Sequence, residues 1–265
     1  MKKFFTLLVI VLGLGINAQI YSENIGSPSG TTVMSSYTGW QNGTSTGVTY
    51  EGNAEIRNSS PSSGYTGASA GGNVFITNVN GQNFTISNIN TSSVASADLE
   101  MSFGHWKSAT TSSNELKVEV ADLNESTPVW NQLTYTRATG KGTSNWVLIT
   151  PSGTIPSTTK LGIRFTNTIA TSQFRLDDIK IYNRNAPVIS TNSSLSFNNV
   201  IANETSYSKA LTVTGTNLTV APTYSITGTD AAMFSATGTL TTSGGSLDVS
   251  FAPTSTGAKS ATLTI

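Results

Sequence analysis

The chain has 265 residues, 14 basic and 14 acidic side chains, a single histidine and no cysteine, and only 11% of its residues are charged. That balance gives nucleic acid no electrostatic footprint and an anionic membrane no pull, while the lack of cysteine rules out disulfides and thiolate zinc sites. The length allows two domains of about 100–200 residues each, whose stability must come from apolar cores.

Residues 1–18 have the pattern of an export leader: Lys2 and Lys3 open it, an apolar run follows, and Ala18 offers a small residue for cleavage before Gln19. The run is shorter than the roughly 20 residues a spanning helix needs, so it predicts a secreted or outer-surface protein rather than an anchored one. Removing the two lysines leaves 14 − 2 = 12 basic against 14 acidic residues, a net charge of −2. No later stretch is apolar enough to cross a bilayer and no cysteine is available for a lipid, so membrane insertion is not expected.

Beyond Ala18 there is no helical period. Short runs rich in Val, Ile, Thr, Phe and Tyr alternate with Gly, Asn, Ser and Pro clusters: 73–77, 83–87, 116–120, 146–150 and 161–165. Strands at this spacing, separated by turn signals, predict an antiparallel β-sandwich. In Leu116-Lys117-Val118-Glu119-Val120 the alternation sends Lys117 and Glu119 toward water. Glu51 and Glu55, four apart, read as a solvated pair on one strand face. The stretch 59–72 is too rich in Gly and Ser for a strand interior and reads as a long surface loop, either functional or merely wrapping.

Phe174-Arg175-Leu176-Asp177-Asp178-Ile179-Lys180-Ile181-Tyr182 is a strand with a fault in its alternation. Phe174, Leu176 and position 178 share one face, yet Ile179 and Ile181 fall on the other. Either Asp177-Asp178 sits at a bulge that swaps faces, or Asp178 points inward. A buried carboxylate needs a partner, here a cation or an arginine such as Arg175 or Arg57. After Asn185-Ala186-Pro187 a second block begins, with runs at 195–197, 209–213, 223–226, 247–251 and 260–265; the chain stops inside the last, which suggests an N-terminal portion of something longer.

Catalysis finds little support. His105 lies in phase with Met101 and Phe103, as a packed strand histidine would, and no Gly-x-Ser-x-Gly elbow surrounds a serine. The carboxylates are scattered rather than paired for glycoside hydrolysis, and the glycine clusters lack phosphate-loop spacing. Aromatic side chains are better placed for sugar recognition, where a ring stacks on the C–H face of a pyranose. Trp40 and Tyr65, with Tyr37, sit in polar, Gly-rich surroundings and are the candidate ligand-binding platforms; Trp130 and Trp146 read as core, and Trp106 stays open.

The first block resembles an N-terminal jelly-roll domain of secreted proteins from Bacteroidetes-type bacteria, on Tyr21-Ser22-Glu23-Asn24, Ser36-Tyr37-Thr38-Gly39-Trp40, Gly64-Tyr65-Thr66-Gly67-Ala68-Ser69, Gly72-Asn73-Val74-Phe75 and Phe174-Arg175-Leu176-Asp177-Asp178-Ile179. The last motif is similar to the final strand of galactose-binding-like, carbohydrate-binding-module-type jelly rolls. That resemblance implies a structural calcium ion held by Glu23 and Asp178, with Asp177 as the alternative to Asp178. The second block resembles the Ig-like domain of abnormal-spindle and hydin proteins, on Leu195-Ser196-Phe197, 211–218, Gly244-Gly245-Ser246-Leu247 and Phe251-Ala252-Pro253-Thr254. The expected organisation is a leader at 1–18, a jelly-roll sandwich at 19–185 and a smaller Ig-like sandwich at 186–265. The expected function is a non-catalytic adhesion or targeting segment that binds glycan or cell-surface material. Accessory domains of an extracellular hydrolase, or a ligand-free stalk, are the alternatives.

Overall fold

The computed structural model describes residues 6–11, 19–42, 47–109, 114–137, 144–191 and 194–265. The protein is all-β; among the described residues helical geometry is limited to single 3-10 turns such as Met34–Ser36 and Ser96–Asp98. Two compact units form, one of Gln19–Arg184 and one of Asn185–Ile265, the second of which also takes in the first strand, β1 (Thr6–Val11).

The first unit contains β2 (Gln19–Glu23), β3 (Thr32–Val33), β4 (Thr49–Gly52), β5 (Glu55–Arg57), β6 (Asn73–Ile76), β7 (Asn83–Ile89), β8 (Leu99–Lys107), β9 (Leu116–Asp122), β10 (Asn131–Leu133), β11 (Val147–Ile149), β12 (Leu161–Asn167) and β13 (Phe174–Asn183). One sheet runs β10-β9-β12-β7-β4 and the other β11-β8-β13-β6-β5-β3, with β2 also paired to β13. Their inner faces supply one core, in which Phe84, Ile86, Val118, Val120, Ile163 and Phe165 of the first sheet join Met101, Phe103, Leu176 and Ile181 of the second. Phe103 meets Phe165 edge to face across the sandwich with ring centroids 5.2 Å apart. Each such side chain, fully buried, contributes about 1.5–3 kcal/mol through removal from water.

The fault in β13 is a bulge. Against β8 the register runs Phe174↔Lys107 to Asp177↔Gly104 and resumes at Lys180↔Ser102, so β13 carries one residue more than its partner. Asp178 absorbs the extra residue at φ 49°, a left-handed conformation that Asp tolerates better than most side chains. The bulge keeps Phe174, Leu176, Ile179 and Ile181 all in the core. It also lies where β13 changes neighbours, from β6 along Phe174–Leu176 to β2 along Ile179–Tyr182. Arg175 and Asp177 then share the outer face, yet both are buried, because the loop at 59–72 covers that face.

Three local expectations are corrected. Glu119 is directed outward but is buried, since Arg164 stands opposite it on β12 and both Arg164 (2.9 Å) and Lys117 (2.9 Å) pair with its carboxylate. Glu51 and Glu55 do not share a strand: Glu51 pairs with Thr85 in one sheet and Glu55 with Phe75 in the other, and the turn between β4 and β5 separates them. Trp130 is half-buried under the Arg164 guanidinium, 4.2 Å from its ring centroid, rather than part of the core. Trp146 is buried, with its indole N–H donating to Ser60 O.

The second unit packs β14 (Val188–Thr191), β16 (Lys209–Thr216), β19 (Gly244–Phe251) and β18 (Phe234–Thr237) in one sheet. The other sheet runs β15 (Ser194–Phe197), β1, β20 (Lys259–Thr264) and β17 (Ser225–Thr227). Phe197, Phe234 and Phe251 cluster at its centre with Leu211, Leu247 and Leu263. The placement of β1 departs from the sequence-based division, which sets 1–18 apart as a leader. Thr6-Leu7-Leu8-Val9-Ile10-Val11 is an uninterrupted β-compatible run, and periodicity alone does not separate a leader's apolar run from a buried strand.

Candidate functional site

A cleft of about 330 Å³ opens beside β4, lined by Met34, Ser35, Tyr37, Thr38, Trp40, Val48, Thr49 and Tyr50. The 3-10 turn at Met34–Ser36 anchors one wall by burying Met34, and the chain then runs out through Tyr37 to Trp40. Trp40 stacks on Tyr50 with centroids 3.9 Å apart and planes 6° from parallel, while Tyr37 stands edge-on to Trp40 at 5.0 Å. All three rings are half-buried against the core. Tyr37 is fixed by donating its hydroxyl proton to Ile25 O, with a second, longer contact to Gly39 O at 3.3 Å. The lining has aromatic surface and five hydroxyls, and no charged side chain.

Behind this wall Glu23 holds the segments together. Its Oε1 accepts from the backbone N–H groups of Ile25 and Gln41, each at 2.9 Å, and Oε2 accepts from the Tyr50 hydroxyl at 2.6 Å and from Asn42 N–H at 3.4 Å. The carboxylate is fully buried, and it ties β2, the Trp40 loop and β4 into one wall. Burial, reinforced by the hydrogen bond to Glu23, raises the Tyr50 hydroxyl well above the ordinary phenol range, so Tyr50 remains a neutral donor.

Asp177 and Asp178 form a separate buried cluster under the loop at 59–72. Asp178 Oδ2 accepts from the Tyr65 hydroxyl (2.5 Å), Ser62 Oγ (3.2 Å) and Ser69 N–H (3.2 Å). Asp177 accepts from Ser69 Oγ (2.9 Å) and from the Asp178 N–H (2.8 Å). Among the described residues the expected arginine partner is not used. Arg175 donates instead to Ser59 O (3.0 Å) and Asn73 Oδ1 (2.8 Å), and Arg57 pairs with Glu55 at 2.6 Å. Hydroxyl and N–H donors, all but the Asp178 N–H from one loop, meet the two carboxylates, an arrangement that leaves the charge only partly compensated. Burial first, and the neighbouring Asp178 charge as well, push the Asp177 carboxyl up to about 7.

The structure thus sorts the sequence-derived residues into two places. Tyr37 and Trp40 meet in the cleft, joined by Tyr50, which the sequence reading passed over although Thr49-Tyr50-Glu51 is a strand-like run beside a glycine turn. Tyr65 does not line the cleft: half-buried, it acts as a latch whose hydroxyl reaches Asp178 over Gly104, where a Cβ would stand 2.1 Å from that oxygen.

Calcium requires six to eight oxygen ligands, and the carboxylates here face hydrogen-bond donors instead. Among the described residues no group of three or more His, Asp and Glu side chains could hold a metal ion. The buried oxygens of Glu23, Asp177 and Asp178 serve as hydrogen-bond acceptors in two separate networks.

No family model matches the chain, and no curated protein sequence matches it either. Among solved structures the chain is similar to the N-terminal CBM22-1–GH10 modules of the Clostridium thermocellum endo-1,4-beta-D-xylanase 10B complexed with xylohexaose, at 13% identity and a TM-score of 0.40, over 63% of this chain and 29% of that one. It is also similar to the CBM22-1 xylan-binding domain of Paenibacillus barcinonensis Xyn10C, at 15% identity and a TM-score of 0.34, over 62% of this chain and 94% of that domain. A third similar structure is TmCBM61 in complex with beta-1,4-galactotriose, at 11% identity and a TM-score of 0.26, over 51% of this chain and 88% of that one.

Proposed function

We propose that Gln19–Arg184 is a non-catalytic module of an exported protein and that it binds a neutral glycan in the Trp40 cleft. The carrying observation is the cleft's lining: three aromatic rings, the hydroxyls of Ser35, Thr38 and Thr49, and no charge. Such a surface offers ring faces and edges to the C–H groups of a pyranose and hydroxyls to its oxygens, and its few fixed polar groups set orientation. Neither a phosphate nor a protonated amine would find a counter-charge there.

The rest of the unit favours binding over chemistry. His105 is buried beside Arg137, which bridges to its ring Nδ1 (3.1 Å) and to its carbonyl oxygen (3.1 Å). Burial, then the Arg137 charge, holds the imidazole well below its ordinary range, so it stays neutral and enclosed. Glu23, Asp177 and Asp178 are likewise buried and engaged, which removes the most conspicuous carboxylates from any role in glycoside cleavage. In this reading export delivers the module to an extracellular or outer-surface location, and Asn185–Ile265 serves as a spacer.

Isothermal titration of the full chain against neutral oligosaccharides, chosen from a glycan array, tests the proposal. Trp40→Phe should weaken binding about tenfold, and Tyr65→Phe should leave it unchanged. An array without a neutral binder, or a Trp40→Phe variant of undiminished affinity, would sink it.

A further inference from the structure

His105 is the chain's one histidine, and it lies near the end of β8 with 1% of its surface exposed. Arg137 stands in the run that follows β10. One nitrogen of its guanidinium meets both the His105 Nδ1 and the His105 carbonyl oxygen, each at 3.1 Å, and another donates to Asn145 O at 2.6 Å. A guanidinium only donates, so Nδ1 carries the lone pair and the ring proton is on Nε2. Nε2 is buried and has no hydrogen-bond partner among the described residues. Aromatic rings enclose the imidazole, with centroids at 5.6 Å for Tyr135, 5.7 Å for Phe174 and 6.2 Å for Phe103. The neighbouring charge is positive as well. Lys107, two residues along β8 and 2% exposed, adds a second cation, itself paired with Glu115 at 3.6 Å. Tyr135 donates its hydroxyl to Leu116 O at 3.1 Å, and burial raises that phenol, so it stays neutral. Opposite His105, β13 presents Leu176 and β11 presents Val147, neither of which titrates. A second ring proton has no place unless Arg137 moves.

We infer that His105 and Arg137 form an acid-released clasp: a solvent proton bonding to the Nδ1 lone pair turns that acceptor into a donor, expels the guanidinium, and frees residues 134–137 and the Asn145 backbone from β8. Once open, the ring is in water and takes histidine's ordinary pKa of about 6.5. In the closed form burial first, then the Arg137 and Lys107 charges, hold it well below that. The clasp therefore keeps its full stability above about pH 6.5. Below that the open form gains a proton that the closed form refuses, and the opening constant rises by up to about tenfold per pH unit. This inference does not depend on glycan binding by the Trp40 cleft.

Residue-resolved hydrogen exchange on the full chain reads the clasp at three hydrogen-bonded amides beside it: Thr134 to Ser152 O, Tyr135 to Asn114 Oδ1, and Ser144 to Lys107 O. His105→Asn is the comparison, because its Oδ1 still accepts from Arg137 and does not titrate. At equal pH the intrinsic exchange rate cancels between the two proteins. So does the Asp177 contribution, which runs the opposite way over this range. On going from about pH 6 to about pH 4.5, opening at these amides should rise about 10- to 20-fold more in the wild type than in His105→Asn. If the variant does not fold, the nitrogen NMR spectrum of the wild-type ring decides. It should show the Nε2–H tautomer at neutral pH, and an imidazolium signal only together with the open form. An Nδ1–H tautomer or an imidazolium titrating near its ordinary pKa in the closed form would overturn the inference. Equal pH dependence in the two proteins, or a rise shared by every protected amide of Gln19–Arg184, would overturn it too.

Discussion

Glu23→Gln separates a hydrogen-bond anchor from a metal ligand. The amide is nearly isosteric, so Oε1 keeps its bonds from Ile25 and Gln41, but an NH₂ group now faces the donors that met Oε2, the Tyr50 hydroxyl and Asn42 N–H. A hydrogen bond to a charged group is worth roughly 1.5–3 kcal/mol and a buried donor set against a donor costs about 1–3 kcal/mol, so the variant should lose about 3–5 kcal/mol. For a unit of this size each kcal/mol moves the midpoint by about 2–4 °C, which predicts a fall of roughly 6–20 °C. Tryptophan fluorescence is the natural probe, because all four tryptophans, Trp40, Trp106, Trp130 and Trp146, lie within Gln19–Arg184. Melts of both proteins should be run with calcium and with a chelator. The wild-type midpoint should be the same in each, since a ligand at 100 times its dissociation constant would raise stability by about 2.7 kcal/mol and none is expected to bind. A calcium-dependent midpoint that Glu23→Gln abolishes would refute the reasoning, as would a variant that melts within about 2 °C of wild type.

The buried pair under the loop yields three further expectations. Tyr65→Phe deletes the shortest donor to Asp178 and should cost about 1.5–3 kcal/mol, read as a lower denaturant midpoint with unchanged slope. Gly104→Ala places a Cβ 2.1 Å from the Tyr65 oxygen, so the latch must shift; a loss of about 1–3 kcal/mol is expected, and much less of it in the Tyr65→Phe background, which a double-mutant cycle would measure. Asp177 is held up to about 7 in the folded protein against about 3.9 in the unfolded chain. The unfolded state therefore releases this proton first, and the group's contribution falls as pH rises from about 4 to about 7 and levels off above that. Asp177→Asn should remove that slope and be more stable than wild type at pH 8 by about 1–3 kcal/mol, with little difference at pH 4. Parallel pH profiles for the two proteins would contradict the assignment.

The fold was legible because its signal is local. Short alternating runs between turn residues mark the strands, and the parity fault at Asp177-Asp178 is visible as a mismatch of period two without any structure. What the fault means was not legible, because the groups that stabilise the buried carboxylates lie 108 to 116 residues away in sequence. Glu119 shows the same limit: alternation correctly turns it outward, but only the register of β12 against β9 brings Arg164 opposite and closes it from water. Trp40 and Tyr65 look alike in sequence, each an aromatic among glycines and hydroxyl residues. They part company through one non-local neighbour each, Tyr50 beside Trp40 and Asp178 beside Tyr65.

Those two neighbours also set the two loops apart. The bulge in β13 turns two carboxylates toward a loop whose serines and tyrosine are consumed in satisfying them, and Ser62 is left only 1% exposed. Polar surface there is spent on folding. At the cleft the single buried carboxylate, Glu23, satisfies itself mainly with backbone N–H groups and one phenol, and it leaves the hydroxyls of Ser35, Thr38 and Thr49 facing open space beside the stacked rings. A carboxylate satisfied by main chain costs the surface almost nothing, whereas one satisfied by side chains removes them from any other task. That difference in donors, more than any difference in composition between the two loops, is the ground for proposing the glycan site at Trp40 rather than at Tyr65.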